Sequence, residues 1–286
     1  MKRKIRLGIA LAAMGFGAFM ALGVPPANAG SLGKPVFFDS AVYPPTPFKV
    51  EKAKERGVAL KPTPAVPIWG HLSEPQGDGP FPAIVLLHGC GGLGRWNEVW
   101  TERLIGWGYV VLNVDSFGPR GEASCHRPPR PPGPLMRALD THGAKTYLTS
   151  LPFVEPEHIA VMGLSQGGST TMQAIHQPTT AKIGAKPFRA AVALYPYCAP
   201  LVIPEAPLLI LIGELDEWTP ANLCERFMIM GGAGRDVVLK IYPGAHHVFD
   251  LRGADFRFMG RIGRYDAEAA SDAIERVRLF LAKHLN

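Results

Sequence analysis

The feature that most constrains this chain is a change of rhythm at residues 158–175. His158-Ile159-Ala160-Val161-Met162 is a short apolar run, Gly163-Leu164-Ser165-Gln166-Gly167 follows it directly, and Ser169 to Ile175 reads as a helix. A strand that turns into a helix through Gly-x-Ser-x-Gly has the context of a nucleophile elbow. The turn is so sharp that the serine backbone is strained. A side chain two residues before or after the serine would strike the neighbouring strand or helix, and glycine occupies both places. The Ser165 hydroxyl then projects above a sheet, and the helix N-terminus behind it favours negative charge near the reacting atom. The competing reading is a tight structural turn with no chemistry.

The rest of the chain supports an open α/β architecture. Short, continuously apolar runs recur at 83–87, 109–114, 159–162, 190–194, 208–212 and 237–241, as expected of strands covered on both faces. Helix-like runs fall between or after them at 96–107, 135–151, 165–175, 221–230 and 271–284. In the last of these, Ile274, Val277, Phe280 and Leu281 keep helical spacing on one side. This alternation predicts a mostly parallel sheet with helices on both faces, and no second domain. Residues 30–80 are proline-rich. Lys49 to Leu60 and Val66 to Leu72 are read there as antiparallel edge strands packed on a catalytic core at 81–286. The segment Phe117 to Pro134 is irregular and follows a strand end, where such sheets place their ligand crevice.

Residues 1–29 read as a cleaved export signal. A basic start with Lys2, Arg3, Lys4 and Arg6 precedes an apolar run to Val24 and an Ala27-Asn28-Ala29 cleavage triplet. The alternative is a retained membrane anchor, against which the Pro25-Pro26 break and the triplet both argue. Removing four basic residues and no acids lowers the formal charge from +6 to +2. The remaining chain is nearly neutral and carries no expectation of nucleic acid or stable membrane insertion. Four cysteines remain, without Cys-x-x-Cys spacing. In an exported, periplasmic protein an even count points to disulfides, expected as Cys90–Cys125 and Cys198–Cys224. Each pair comes from segments that follow different strands and emerge at the same edge of the sheet. Buried free thiols are the alternative.

A serine hydroxyl needs a base. Tyr242-Pro243-Gly244-Ala245-His246-His247-Val248-Phe249 follows the last expected strand, and one of its two histidines suits that role. The base in turn needs a carboxylate to hold its tautomer. Asp216 stands three residues beyond Gly213, at the end of an apolar strand, with Glu214 and Glu217 as competitors. The order Ser165, Asp216, His is that of α/β-hydrolases. For a developing oxyanion, the amide of Gln166 and that of Cys90 in His88-Gly89-Cys90-Gly91-Gly92 are the expected donors. His88 is read as shaping that loop. No metal or organic cofactor is expected.

Taken together, the His-Gly-x-x-Gly turn at His88, Gly-Leu-Ser-Gln-Gly-Gly at 163–168, Asp216, and Tyr-x-x-Ala-x-His-x-Phe at 242–249 resemble the dienelactone hydrolase family of α/β-hydrolases. The resemblance runs from about Phe81 to the C-terminus. It implies the α/β-hydrolase fold and, because the family's base lies two residues before the Phe, it selects His247. Dienelactone hydrolases proper use a cysteine nucleophile. Ser165 places this chain nearer the esterase-like branch, with a small-molecule ester or lactone as substrate. The family's carboxylate-binding arginines suggest Arg120 and Arg252 as substrate contacts. The expected activity is ester or lactone cleavage through an acyl-enzyme. The rivals are a peptidase or acyltransferase with the same three residues, and a non-catalytic periplasmic binding protein on the same fold. Neither substrate identity nor oligomeric state is legible.

Overall fold

The structure, a computed structural model, describes residues 32–126 and 132–286. The expected export signal at 1–29 and Arg127 to Pro131 of the irregular loop lie outside the described residues. Strands β1 (Lys34–Asp39), β2 (Pro67–Ser73), β3 (Phe81–Leu87), β4 (Val110–Asp115), β5 (Val154–Leu164), β6 (Ala191–Leu194), β7 (Leu208–Gly213) and β8 (Val237–Tyr242) form one sheet in the order β1-β2-β4-β3-β5-β6-β7-β8. From β4 to β8 every pairing is parallel; β1 and β2 close one side antiparallel.

The central strands are buried on both faces by helices α2 (Arg95–Gly106), α3 (Pro134–Thr149), α4 (Gln166–Ala174), α6 (Ala221–Ile229) and α7 (Ala267–Leu285), which explains their uninterrupted Val, Ile, Leu and Ala content. Register aligns the strand ends. Leu87 sits beside both Val114 and Gly163, Gly163 beside Ala193, and Gly213 beside Tyr242. The loops leaving β3, β5, β7 and β8 therefore open along one edge.

All six expected interior strands and all five expected helices are present within a few residues of their expected bounds. The N-terminal segment differs. Val66 to Leu72 corresponds to β2, but Lys49 to Leu60 is not an edge strand. Helix α1 (Pro47–Glu55) occupies it, with the Thr46 hydroxyl accepting from Lys49 N–H and Pro47 at the first helical position. Its Lys, Glu and Ala residues are straight-chain or small helix formers, which outweighs the weak alternation seen there. The edge strand is β1, whose Val36 and Phe38 pack inward. A short helix α5 (Gln177–Ile183) and a hairpin of β9 (Asp255–Phe258) and β10 (Arg261–Arg264) complete the described fold. Among the described residues, no helix is long and apolar enough to cross a membrane.

Candidate active site

The elbow sits where β5 gives way to α4. Ser165 has φ of 53°, in the left-handed region that a side chain rarely occupies. Close packing explains both flanking glycines. A Cβ on Gly163 would lie 2.1 Å from Gly167 O, and one on Gly167 would lie 2.3 Å from Leu87 O. The helix can only approach this closely because those side chains are missing, and the approach forces the serine out over the strand ends.

Two later loops meet it. His247 Nε2 lies 3.0 Å from Ser165 Oγ, and His247 Nδ1 lies 2.6 Å from Asp216 Oδ2. With Nδ1–H donating to the carboxylate, Nε2 is left as the acceptor facing the hydroxyl. Asp216 is held on both oxygens. Oδ1 accepts from the Trp218 and Thr219 amides, each at 2.9 Å, and Oδ2 also accepts from the Thr219 hydroxyl at 2.9 Å. The competitors are engaged elsewhere. Glu214 accepts from Gly244 N–H and Glu217 from Ile262 N–H, while His246 is half-buried with its Nδ1 near Leu215 O.

The loop after β3 passes against the nucleophile, since a Cβ on Gly89 would stand 3.5 Å from that of Ser165. Cys90 and Gln166 line the same cavity as Ser165. The Cys90 and Gln166 amides donate no hydrogen bond to another described residue, which leaves both available to an incoming oxygen. His88 is fully buried. Its Nδ1–H donates to Gly89 O and its Nε2 accepts from Ser116 N–H. Burial, aided by neighbouring Arg137, drives its pKa well below the usual range. A neutral His88 that ties two loops together shapes the site.

Both expected disulfides are present. Cys90 is bonded to Cys125 and Cys198 to Cys224, with Cα separations of 5.0 and 4.9 Å. The first straps the loop after β4 to the loop after β3, and Cys125 N–H also donates to Cys90 O. Cys90, Cys125 and His126 are close enough to suggest a metal site, but both sulfurs are consumed by the disulfide.

The two arginines are not brought to the cavity. Arg120 makes a bidentate pair with buried Asp140, at 2.8 and 2.9 Å, and donates to Ser116 O. That pairing anchors the loop after β4 to α3 and holds the guanidinium away from the cavity lining. Arg252 is exposed and does not line the cavity, although its neighbour Leu251 does.

Two buried groups escaped the sequence reading. Arg137, on α3, is wholly buried behind the elbow. It donates to the Gln166 side chain at 2.8 Å and to His88 O at 2.7 Å, so one cation grips both segments that carry the candidate oxyanion amides. Burial lowers its pKa to about 10, with Asp140 and Asp115 opposing the shift, and it remains a cation at neutral pH. Asp250 accepts from Trp100 Nε1 at 2.7 Å and from the Tyr195 hydroxyl at 2.9 Å. Tyr195 lies edge-on to the His247 imidazole at 4.7 Å, so this network fixes one wall beside the histidine.

The cavity over Ser165 has a volume of about 680 Å³. Its wall beside His247 is aromatic and comes from the Asp216 loop and the β9–β10 hairpin. Trp218 stacks on His247 at 5.9 Å and 25°, and Phe258 lies parallel to Trp218 at 5.8 Å and 4°. The hairpin leaves and re-enters the fold at one point, where Tyr265 N–H donates to Ala254 O. Arg264 N–H also reaches His247 O.

The dienelactone hydrolase family model matches residues 68–285. An uncharacterized Mycobacterium tuberculosis protein is 24% identical over 230 residues, covering 74% of this chain and 79% of its own. Among solved structures, a dienelactone hydrolase-like promiscuous phosphotriesterase from metagenomic libraries is 16% identical. It covers 89% of this chain and 100% of its own, with a TM-score of 0.60. Esterase 2 of Thermogutta terrifontis is 19% identical over 76% of this chain and 90% of its own, at a TM-score of 0.58. At these identities the structures speak to the fold alone. The family model covers the elbow, the Asp216 loop and the His247 loop together, and on that match the chain belongs to the dienelactone hydrolase family.

Proposed function

We propose that this protein is a serine ester hydrolase acting on small ester or lactone substrates. The observation that carries the reading is the unbroken hydrogen-bonded chain from Ser165 Oγ through His247 to an Asp216 carboxylate satisfied on both oxygens. His247 Nε2 takes the Ser165 proton as Oγ attacks the carbonyl, and the Cys90 and Gln166 amides receive the negative oxygen. Collapse expels the alcohol, which takes its proton from His247. Water, deprotonated by the same imidazole, then releases the acid and restores the serine. The cavity of about 680 Å³ over Ser165 supports a small-molecule substrate. The two disulfides support export, with 1–29 as the removable signal and the periplasm as destination. Residues 30–80 are taken as an edge extension of a catalytic core at 81–286.

The test is labelling with a fluorophosphonate probe, followed by peptide mapping and a panel of p-nitrophenyl esters. Label is expected on Ser165, with ester turnover lost on Ser165→Ala. A folded Ser165→Ala variant that retains near-normal turnover would refute the assignment. An inert wild type that takes no label would favour a binding protein on this fold.

A further inference from the structure

Resting on the hydrolase reading above, we infer that the preferred substrates are esters whose alcohol portion carries an aromatic ring, seated against Trp218 and Phe258. The direction follows from the chemistry. The imidazole that accepts the serine proton must return it to the departing oxygen, so the alcohol portion leaves on the His247 side of Ser165. On that side the structure presents aromatic faces. The Trp218 ring stacks on the imidazole at 5.9 Å, Phe258 is parallel to Trp218 within 4°, and His126 closes edge-on against both, at 6.0 and 5.0 Å.

This wall is registered to the reacting groups. Trp218 donates its amide to Asp216, and the hairpin bearing Phe258 is tied to Glu217 and to His247 O. A volume of about 680 Å³ is more than an acetyl group needs. It lies within the roughly 300–1,000 Å³ of pockets that bury a drug-sized ligand. Aromatic rings attract a further ring in offset or edge-on geometry beyond the effect of buried area, whereas a saturated ring of similar size gains the burial alone. Phe258 lines the cavity and is 43% exposed, so part of it is accessible to such a partner.

The experiment compares kcat/KM for benzyl acetate and cyclohexylmethyl acetate, whose alcohols are alike in size and differ in flatness and π character, with the variants below controlling for the somewhat greater acidity of benzyl alcohol. The full chain is expected to prefer the benzyl ester by about tenfold. Phe258→Leu, which keeps apolar bulk on an exposed hairpin, and Trp218→Ala should each reduce that ratio to below threefold. Ser165-dependent turnover of both esters at equal efficiency would overturn the aromatic preference and leave the hydrolase reading standing. So would a preference that survives in both variants. Absence of Ser165-dependent turnover with either ester would overturn both.

Discussion

The two sides of the cavity are built by different physics. On one side, Ser165, Asp216 and His247 stand just beyond the ends of β5, β7 and β8, Asp216 and His247 buried and Ser165 half-buried, joined by hydrogen bonds. On the other, His126, Trp218 and Phe258 meet through ring contacts, and Phe258 is carried by a hairpin that is largely exposed. A sheet edge supplies positional accuracy, which bond-making needs. A ring-lined excursion supplies shape, which selection among substrates needs. On the proposed function, the contrast implies that chemistry and choice can be altered separately here.

That separation can be broken or sharpened experimentally. The largest effect is expected from Asp216→Asn, which would leave His247 in the wrong tautomer and lower kcat by about 10⁴. It should do so alike for every ester, without changing their ranking in a substrate panel. A changed ranking would break the distinction between the two sides. Next, replacing Cys198 and Cys224 together by Ala removes a cross-link on the sheet side, spanning 26 residues. It should cost about 3 kcal/mol of unfolding free energy in denaturant titrations.

Acid should act on the sheet side as well. His142, buried in α3 with Nε2 against Ala174 O, has its pKa lowered to about 4, chiefly by burial. The unfolded chain, with an ordinary value near 6.5, binds that proton first. The neutral form's stability is thus present above about pH 6.5 and is lost as pH falls toward 4, by about 3 kcal/mol. His142→Leu should flatten that limb when urea midpoints are followed from pH 7 to 4. The smallest effect is expected from Arg137→Met. Both oxyanion segments would keep their amides but lose their shared grip, so kcat should fall about tenfold, below the 10²–10³ typical of losing a donor outright. An unchanged KM and unchanged ester ranking would assign Arg137 to the sheet side of the comparison.

Sequence legibility follows the same division. The interior strands could be read because burial on both faces demands unbroken apolar runs, as in Leu208 to Ile212. The elbow could be read because steric crowding leaves only glycine at 163 and 167. That Asp216 and a histidine of the loop after β8 would meet Ser165 could be anticipated because each loop leaves a strand end on the same edge, and the family resemblance pointed to His247 rather than His246. Helix α1 was missed because its signal was a cap, Thr46 before Pro47, rather than a hydrophobic period. The hairpin also had a local signal. It was weak: Gly260 alone marks a turn between Phe-Arg-Phe and Arg-Ile-Gly-Arg, and Met259, which also takes positive φ in the structure, is not a residue that a primed turn favours. Arg137 had none. Nothing local separates it from a solvated arginine on an amphipathic helix, because its burial is created by the packing of α3 against α4. Arg120 erred in the opposite sense: its place in the chain was right for a ligand contact, and a carboxylate on a distant helix claimed it first.

The closure at Ala254 and Tyr265 has a consequence for how such enzymes diversify. Since departure and return share a single backbone hydrogen bond, the intervening peptide can be exchanged for another of different length while β8 and α7 keep their seats. Among the described residues, two hydrogen-bonded ties, to the Glu217 carboxylate and to the carbonyl of His247, would have to be rebuilt by the replacement, along with the ring contacts of Phe258. The molecule thus offers a natural socket into which lineages, or engineers, can fit new recognition pieces without disturbing the engine underneath.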